Sequence, residues 1–446
     1  MQPFRRALLI TLLAASKGTA INAQVTTNDT LRLTLTDAWH RADTASRTIR
    51  IRRHNTMIAS SEVKDLKMER FPEVGIAGSL EKATNIPVYD KGLLKPPSQH
   101  EVIHTLYRLG TDFNLNIYNG NKLNLSIASA GVEKDIADIQ EDESISTAYK
   151  DVAALYLELQ KSFEYRKLVQ DAIAERKEQL REINDFFTHG IKLKNDVLRV
   201  ELEVSRQEQL LLEINNDITL LSQRMNILIG LPDDYPLKPA SDNLYEMPSI
   251  PVYEDCLAQA AQHAFPLLIS AKETTLSELN LKKVKANTSV RLNMYGEFYY
   301  ANPQIFLYPY NPYWYSLGIA GVKASLPLSA FYHNINKVSK AKIELEKEEE
   351  KHRDTEDRLR TDVKEGYLRY KEAVQRLDVT EVNVARAEEN ARIVRNSYFS
   401  QTVLITELLD AELQLLQAKF DKVAAAVTAK NKYYQLENSM GILTEL

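Results

Sequence analysis

Cysteine, glycine and proline are all scarce in this 446-residue sequence, which contains one cysteine, 14 glycines and 15 prolines. The single cysteine, Cys256, excludes an intramolecular disulfide and a paired-cysteine metal site. We expect it to be a small buried apolar residue. So few glycines and prolines argue against many short elements joined by tight turns, and they favour long uninterrupted helices.

Long apolar runs are also missing. After residue 23 no apolar run reaches about 18 residues, the length that a membrane-spanning helix needs. If the chain crosses a membrane, it must therefore do so with strands. The formal net charge of -5 argues against a general nucleic-acid binder. No zinc, phosphate-loop or serine-elbow motif is present, so we predict neither an enzyme nor a cofactor or metal site.

The N-terminus has the layout of a secretory signal peptide. Arg5 and Arg6 precede a short apolar run over 7–15, and small residues ending at Ala23 offer a cleavage site. We therefore expect residues 1–23 to be removed, which places the mature protein outside the cytoplasm.

An internal repeat is the most informative feature of the sequence. A shift of 218 residues aligns its early parts, and a shift of 211 aligns its later parts. The aligned pairs include Asp37-Ala38-Trp39 with Asp255-Cys256-Leu257, Gly78 with Gly296, Leu198 with Leu409, Glu201 with Glu412, and Gly230 with Gly441. We predict a first structural repeat over 24–231, a linker over 232–251 and a second repeat over 252–446. Each repeat reads helix, strand, loop, strand, very long helix, turn, helix, and the first copy has the longer loop between its strands.

Strand periodicity is clearest over 109–117, where apolar residues alternate with Gly110, Asp112, Asn114 and Asn116. Such a strand meets either a second sheet or lipid with its apolar face. Other strands are predicted over 72–82, 290–301 and 313–328. The last two flank aromatic residues that suit either a membrane-interface girdle or a packed loop: Tyr295, Phe298, Tyr299, Tyr300, Tyr308, Tyr310, Tyr313, Trp314 and Tyr315.

Two proline-free stretches, over 128–186 and 336–398, predict helical rods of about 60 residues, each near 90 Å long. Their apolar residues recur at coiled-coil spacing, which indicates packing. Four strands per chain cannot close a membrane barrel, because single-chain barrels begin at about eight strands. Several copies must therefore share one barrel: two copies give eight strands and three give twelve.

The order and spacing of several weak motifs resemble the TolC-type outer-membrane efflux ducts over about 33–443. The strand start reads Arg70-Phe71-Pro72-Glu73-Val74, and the turn before the long helix reads Tyr118-Asn119-Gly120-Asn121-Lys122. Of the Asn-Pro-x-Leu motif that the family has in its leading helix, only Pro266-Leu267 is present here. The second copy has Ser329-Ala330-Phe331-Tyr332-His333-Asn334 in place of the glycine turn.

This resemblance implies a homotrimer whose twelve-stranded β-barrel lies in outer-membrane lipid and continues into a long α-helical barrel through the periplasm. It implies a passive exit duct of a tripartite efflux or type I secretion system, which docks a periplasmic adaptor and an inner-membrane pump. Drugs, metal ions and proteins all remain possible cargoes. The alternative from another class is a periplasmic coiled-coil scaffold or adaptor without a pore.

The resemblance also assigns roles to the turns between the long helices. Adaptor docking falls on the tip residues Thr188, His189, Gly190, Ile191, Gln401, Thr402 and Val403. Gly190 suits a left-handed turn, and Asn195 and Thr406 are predicted to cap the returning helices.

By the same resemblance, four residues are assigned to the periplasmic entrance gate, and Glu407 and Asp410 match the two acidic positions that ring the entrance in the family. Glu407 and Asp410 are three apart, so they share a helix face, and a trimer would place six carboxylates around one constriction that attracts cations. The simpler interpretation is that acids in a first turn complement the helix dipole. Asp196 and Tyr398 match the family's closing network, whereas the family's arginine position is Val403 here.

Overall fold

The computed structural model describes residues 30–240, 244–305 and 311–444. The predicted signal peptide, residues 1–23, and two members of the aromatic stretch, Tyr308 and Tyr310, lie outside the described residues. None of the helices in the described ranges is long and apolar enough to cross a membrane.

The first half of the chain contains two leading helices, two long strands and two long helices. Its elements are β1 (Leu31–Leu33), α1 (Leu35–Ala45), α2 (Arg47–Met68), β2 (Glu73–Lys82), β3 (Ile86–Val88), β4 (Ser98–His100), β5 (Thr105–Tyr118), α3 (Lys122–Thr188) and α4 (Lys194–Leu228). The β3–β4 hairpin occupies the long loop that the repeat predicted between the first two strands.

The second half has the same order of main elements. Its elements are β6 (Leu237–Pro239), α5 (Tyr253–His263), α6 (Phe265–Lys285), β7 (Arg291–Asn302), β8 (Tyr315–Ser325), α7 (Ala330–His333), α8 (Ile335–Phe399) and α9 (Ile405–Met440). The predicted strands and rods are confirmed with small changes at their ends. The single leading helix is wrong in both halves, because the backbone leaves the helical region at Ser46 and at Ala264.

The turn before the first rod shows why glycine is needed there. Gly120 and Asn121 have positive φ angles of 74° and 67°. A Cβ atom on Gly120 would lie 2.5 Å from the Cβ of Ser289, so a larger residue would collide with the second half of the chain. In the second copy the short helix α7 replaces this turn, as the missing glycine motif suggested.

The four long strands form one antiparallel sheet in the order β2-β5-β7-β8. The two halves therefore join through β5 and β7, where Asp112 pairs with Glu297. Among the described strands none pairs with the outer edge of β2 or of β8. The mainly helical chain with an open strand part confirms the predicted fold class, and a single chain leaves two sheet edges free.

The sheet has an apolar face that the single chain leaves uncovered. Val74, Ile76 and Leu80 on β2 are 72%, 78% and 69% exposed. The strand registers place them on the same face as Leu109 of β5 and Phe298 of β7. Strand β8 departs from this pattern, because its register puts Leu317 and Ile319 on the face of Tyr299 and Glu297. An exposed apolar face of this extent marks a contact with lipid or with another chain.

The rods pack side by side as two hairpins, α3 with α4 and α8 with α9, and the hairpins meet where α9 lies against α3. With 67 residues, α3 is about 100 Å long. The predicted packing ladder is confirmed by Val363 and Tyr370, which are fully buried on α8. Cys256 is also buried, in an apolar cluster with Val363 and Leu436.

Candidate functional site

The two helical hairpins end side by side in similar turns. Gly190 ends the first rod with a φ of 74°, and Gln401 stands at the equivalent place with a φ of 64°. The rings of Phe186 and Phe399 lie 6.3 Å apart, which brings the two tips together. Gly190 is thus the left-handed turn residue that was predicted, and Gln401 adopts the same conformation without glycine's freedom.

The N-cap predictions for Asn195 and Thr406 are wrong. Helix α4 begins at Lys194 after an extended Leu193, and α9 begins at Ile405 after an extended Leu404. Each leucine carbonyl accepts a hydrogen bond from the amide three residues later, at 3.0 and 3.1 Å. The backbone turn therefore begins each helix before the polar side chain is reached.

The predicted docking residues form an exposed surface with apolar positions. Ile191, Leu193 and Leu404 are 50%, 71% and 68% exposed. Thr188, His189, Gln401 and Thr402 are exposed around them, while Val403 is half-buried and packs against the apolar cluster below. Adaptor docking at this surface stays a prediction.

An apolar cluster joins both hairpins just above the tips. It contains Ile183 of α3, Val197 and Val200 of α4, Tyr398 of α8, and Ile405 and Leu408 of α9. Because all four long helices contribute, the tips of one chain are packed into one unit.

Tyr398 lies at the centre of this unit and is 1% exposed. The ammonium nitrogen of Lys192 lies 3.9 Å from the centre of its ring, a cation–π contact between the two tips. Burial, together with the charge of Asp196, raises the pKa of Tyr398 to about 12. The charge of Asp196 therefore acts on Tyr398, and the part of these two residues in a closing network stays a prediction. The hydroxyl of Tyr398 has no hydrogen-bond partner within the described chain.

Removing that hydroxyl is a direct test of this geometry. We expect Tyr398→Phe to leave thermal stability at neutral pH unchanged or higher by about 1 kcal/mol, because an unpartnered buried hydroxyl is costly. In the wild type, a tyrosine that ionises near 10 when unfolded and near 12 when folded loses stability as pH rises through that window. Tyr398→Phe should therefore lose less stability than the wild type over this pH range. Circular dichroism melting from pH 7 to 12 measures both effects, and a marked loss at pH 7 would contradict the buried, unpartnered hydroxyl.

Glu407 and Asp410 lie apart from this packed unit. Both are exposed on α9, and neither has an ion-pair partner within the described residues. Their spacing puts them on one helix face, as predicted. The single chain therefore offers two free carboxylates beside the tip, and their role as a gate stays a prediction.

Sequence reasoning missed a charged cluster around Glu412, which lies on α9 just beyond Asp410 and farther from the tips. The carboxylate of Glu412 on α9 accepts hydrogen bonds from Arg176, from Gln179 at 2.5 Å and from Arg395 at 2.8 Å. Arg395 also pairs with Glu175. Side chains on the rods looked like surface charge in the sequence, and only the meeting of α3 with α9 shows that Arg176, Gln179 and Glu412 are buried.

No group of histidine, cysteine and acidic residues within the described ranges is arranged to hold a metal ion. The site is therefore a set of helix tips, exposed carboxylates and a buried ion pair.

Comparison with known proteins fits this architecture. Three solved structures share the fold over nearly the whole chain. VceC from Vibrio cholerae is 17% identical, with 91% of this chain and 96% of that chain covered and a TM-score of 0.72. The outer-membrane channel OprN is 14% identical, with 92% and 91% covered and a TM-score of 0.74. CusC is 11% identical, with 91% and 92% covered and a TM-score of 0.75. No curated protein sequence matches this chain.

The fold is thus that of outer-membrane channels built from paired helical hairpins and a strand part. The family model described as outer membrane efflux protein matches residues 292–442, which run from β7 to just beyond α9. The second half of the chain carries this family's sequence signature, and the resemblance to TolC-type ducts is confirmed.

Proposed function

We propose that this chain is a passive exit duct, which crosses the outer membrane and runs through the periplasm as part of a tripartite efflux or type I secretion system. The single observation that carries the proposal is the efflux-family match over residues 292–442, on a chain whose whole fold is that of outer-membrane channels. The protein has no enzymatic role in this proposal. Transport energy comes from its partner in the inner membrane.

The duct is a closed ring of copies. Within one chain the sheet order ends at β2 and β8, and the long helices follow the order α4, α3, α9, α8. The sheet and the layer of long helices are therefore both bounded by an element of the first half on one side, β2 or α4, and by an element of the second half on the other side, β8 or α8. A neighbour's β2 can pair with β8, and a neighbour's α4 can pack on α8, in the same way as the two halves join within one chain.

Exposed apolar stripes support this second contact. On α4 they comprise Leu198, Leu202, Leu212, Leu220 and Ile227, and on α8 they include Leu368, Val379, Val382 and Ile393. On α9, Val423 stands at the position that corresponds to Leu212 and is buried against Leu157 of α3, whereas Leu413, which corresponds to Leu202, is exposed. The α4 stripe is left for a neighbouring chain.

Three copies give a twelve-stranded barrel, which is the assembly implied by the family resemblance. Its apolar sheet face, with Val74, Ile76 and Leu109, contacts outer-membrane lipid. We propose that the chain consists of the two repeats over 24–231 and 252–446, joined by the linker over 232–251 and preceded by the signal peptide over 1–23.

Partners dock at the other end. The exposed apolar tips around Ile191, Leu193 and Leu404 suit a periplasmic adaptor, which links the duct to an inner-membrane pump. No nucleic-acid partner is part of the proposal. Glu407, Asp410, Asp196 and Tyr398 form the entrance gate near these tips.

Membrane fractionation and electrophysiology test the proposal together. We expect the protein in the outer-membrane fraction, as an oligomer that migrates as a trimer before heating and as a monomer after it. The purified trimer should form ion-conducting channels in planar bilayers. A periplasmic scaffold would instead be soluble without detergent, monomeric or fibrous, and non-conducting, and that result would overturn the duct.

A further inference from the structure

The buried cluster around Glu412 ties the two hairpins together next to the predicted gate. Arg176 and Gln179 belong to α3, Arg395 belongs to α8, and Glu412 belongs to α9. The side chains of Arg176 and Glu412 are only 4% and 8% exposed. Three helices from both halves of the chain are therefore joined at one carboxylate.

This carboxylate holds more strongly than the exposed pairs along the rods. A surface ion pair is screened by water and contributes little. Loss of one partner from a buried pair leaves an uncompensated charge in the interior, which is far more costly. Burial lowers the pKa of Arg395, but its hydrogen bonds to Glu412 and Glu175 more than offset this and the pKa is raised. Arg395 thus remains charged as the partner of Glu412.

Glu412 lies close to the predicted gate residues on the same helix. Glu412 follows Asp410 by two residues and Glu407 by five on the same helix. At about 1.5 Å per residue it lies roughly 3 and 7.5 Å farther along the axis. Because a helix is stiff over this length, fixing Glu412 also fixes the first turns of α9 that carry the two exposed carboxylates.

The equivalent helix of the first half has no such anchor. Glu201 on α4 corresponds to Glu412, and it is exposed. In a ring of copies α4 would face a neighbour's α8, where Ala387 and Asn390 stand at the positions that correspond to Arg176 and Gln179. Of the two helices that return from the tips, only α9 is held by two guanidinium groups, the buried one of Arg176 and the partly exposed one of Arg395.

A second contact, nearer the tips, holds the same two hairpins together. The Lys192 ammonium group lies over the ring of Tyr398, and so it joins the first tip to the last turn of α8. Tyr398 and Arg395 are one helical turn apart on α8. The end of α8 is therefore held to the first hairpin at two levels.

We infer that Arg176 and Arg395 are positioning residues of the entrance: they hold Glu412 between the hairpins and thereby keep Glu407 and Asp410 in the narrow arrangement. The inference rests on the proposed duct and goes beyond it, because it assigns the position of the gate carboxylates to a cluster that lies between the two hairpins. It also supplies, within one chain, cationic groups that hold the tips where the family's arginine is replaced by Val403.

Planar-bilayer recording of the purified trimer tests the inference, with Glu412→Gln and Arg395→Gln as variants. Each should raise single-channel conductance and weaken block by a divalent cation such as Mg²⁺ by about tenfold, since losing a buried partner is worth well over one decade in an equilibrium. Arg395→Lys keeps the charge and should recover most of the wild-type block. Heat-stable migration as a trimer shows that each variant has assembled.

Glu208→Gln is the matched control. Glu208 pairs with Lys177 at 2.6 Å, but both side chains are about half exposed and the pair lies within one hairpin. Its conductance and block should equal the wild type. Assembled Glu412→Gln or Arg395→Gln trimers with wild-type conductance and block would overturn the inference, as would an equal change in Glu208→Gln. A wild-type trimer that forms no channel would instead overturn the duct itself.

Discussion

Replacing Glu407 and Asp410 together by alanine should raise single-channel conductance and weaken block by divalent cations at least tenfold. The size follows because several lost charge interactions of about 1 kcal/mol each add up in the binding free energy of the cation. In a trimer the change removes six exposed carboxylates from one constriction. Hard divalent cations prefer such oxygen ligands, and a ring of like charges concentrates cations within the passage. The measurement is the current through single trimers in planar bilayers, with and without Mg²⁺ on the side of the tips.

A control with the same loss of charge separates the gate from a general field effect. Glu178 and Glu182 are exposed on α3 near the same tips. Glu178→Ala with Glu182→Ala removes as many carboxylates per chain, but from the other hairpin. We expect wild-type block in this variant. If both double variants change the block equally, or neither does, the first turn of α9 is not the constriction.

The second large effect is expected at the end of α9, where Gly441→Ala should cost several kcal/mol of stability and prevent trimer assembly at 37 °C. Gly441 has a φ of 77°, and an added Cβ would lie 2.1 Å from the carbonyl oxygen of His263. That carbonyl ends α5, and the next residues begin α6. The added methyl group would therefore force α9 away from the junction of the leading helices, and backbone atoms cannot yield cheaply.

Gly190→Ala provides the comparison that isolates the collision. Gly190 has nearly the same φ, 74°, but nothing lies within 4 Å of an added Cβ. This change should cost only the left-handed strain of about 1–2 kcal/mol. Melting of the purified trimers, followed by circular dichroism, compares the two variants. Equal losses would show that the contact with His263 is not what requires glycine at Gly441.

The repeat and the periodicity of the sequence were sufficient to predict the long elements. The strand alternation over 109–117 reflects a real sheet with unlike faces, and the absence of proline over 128–186 reflects α3. The short elements were missed for a physical reason. The β1 strand is only three residues long and pairs in parallel with β6 from the linker, so it forms only after distant parts of the chain have met. No local pattern records such a pairing.

Some residues of the candidate site could be predicted from the sequence, and others could not. Asp196 and Tyr398 were proposed from the resemblance, and the charge of Asp196 does act on the buried Tyr398, because both residues stand next to the turns. Glu412 looked like one more acid on a charged helix. Its burial depends on the crossing of α3 with α9, which the heptad pattern does not specify residue by residue. The cap predictions at Asn195 and Thr406 were wrong because the turn backbone, with its leucine carbonyls, had already begun each helix.

The pairing of β5 with β7 has a consequence for how the wall is built. This seam joins two parts of one tethered chain, so it closes at a rate that does not depend on protein concentration and without the loss of free translation that association carries. The outer edges of β2 and β8 can be completed only by collision with another chain. In the proposed ring, a newly folded subunit has two long unpaired strand edges until its neighbours pair with them, and it is most prone to aggregation during that interval.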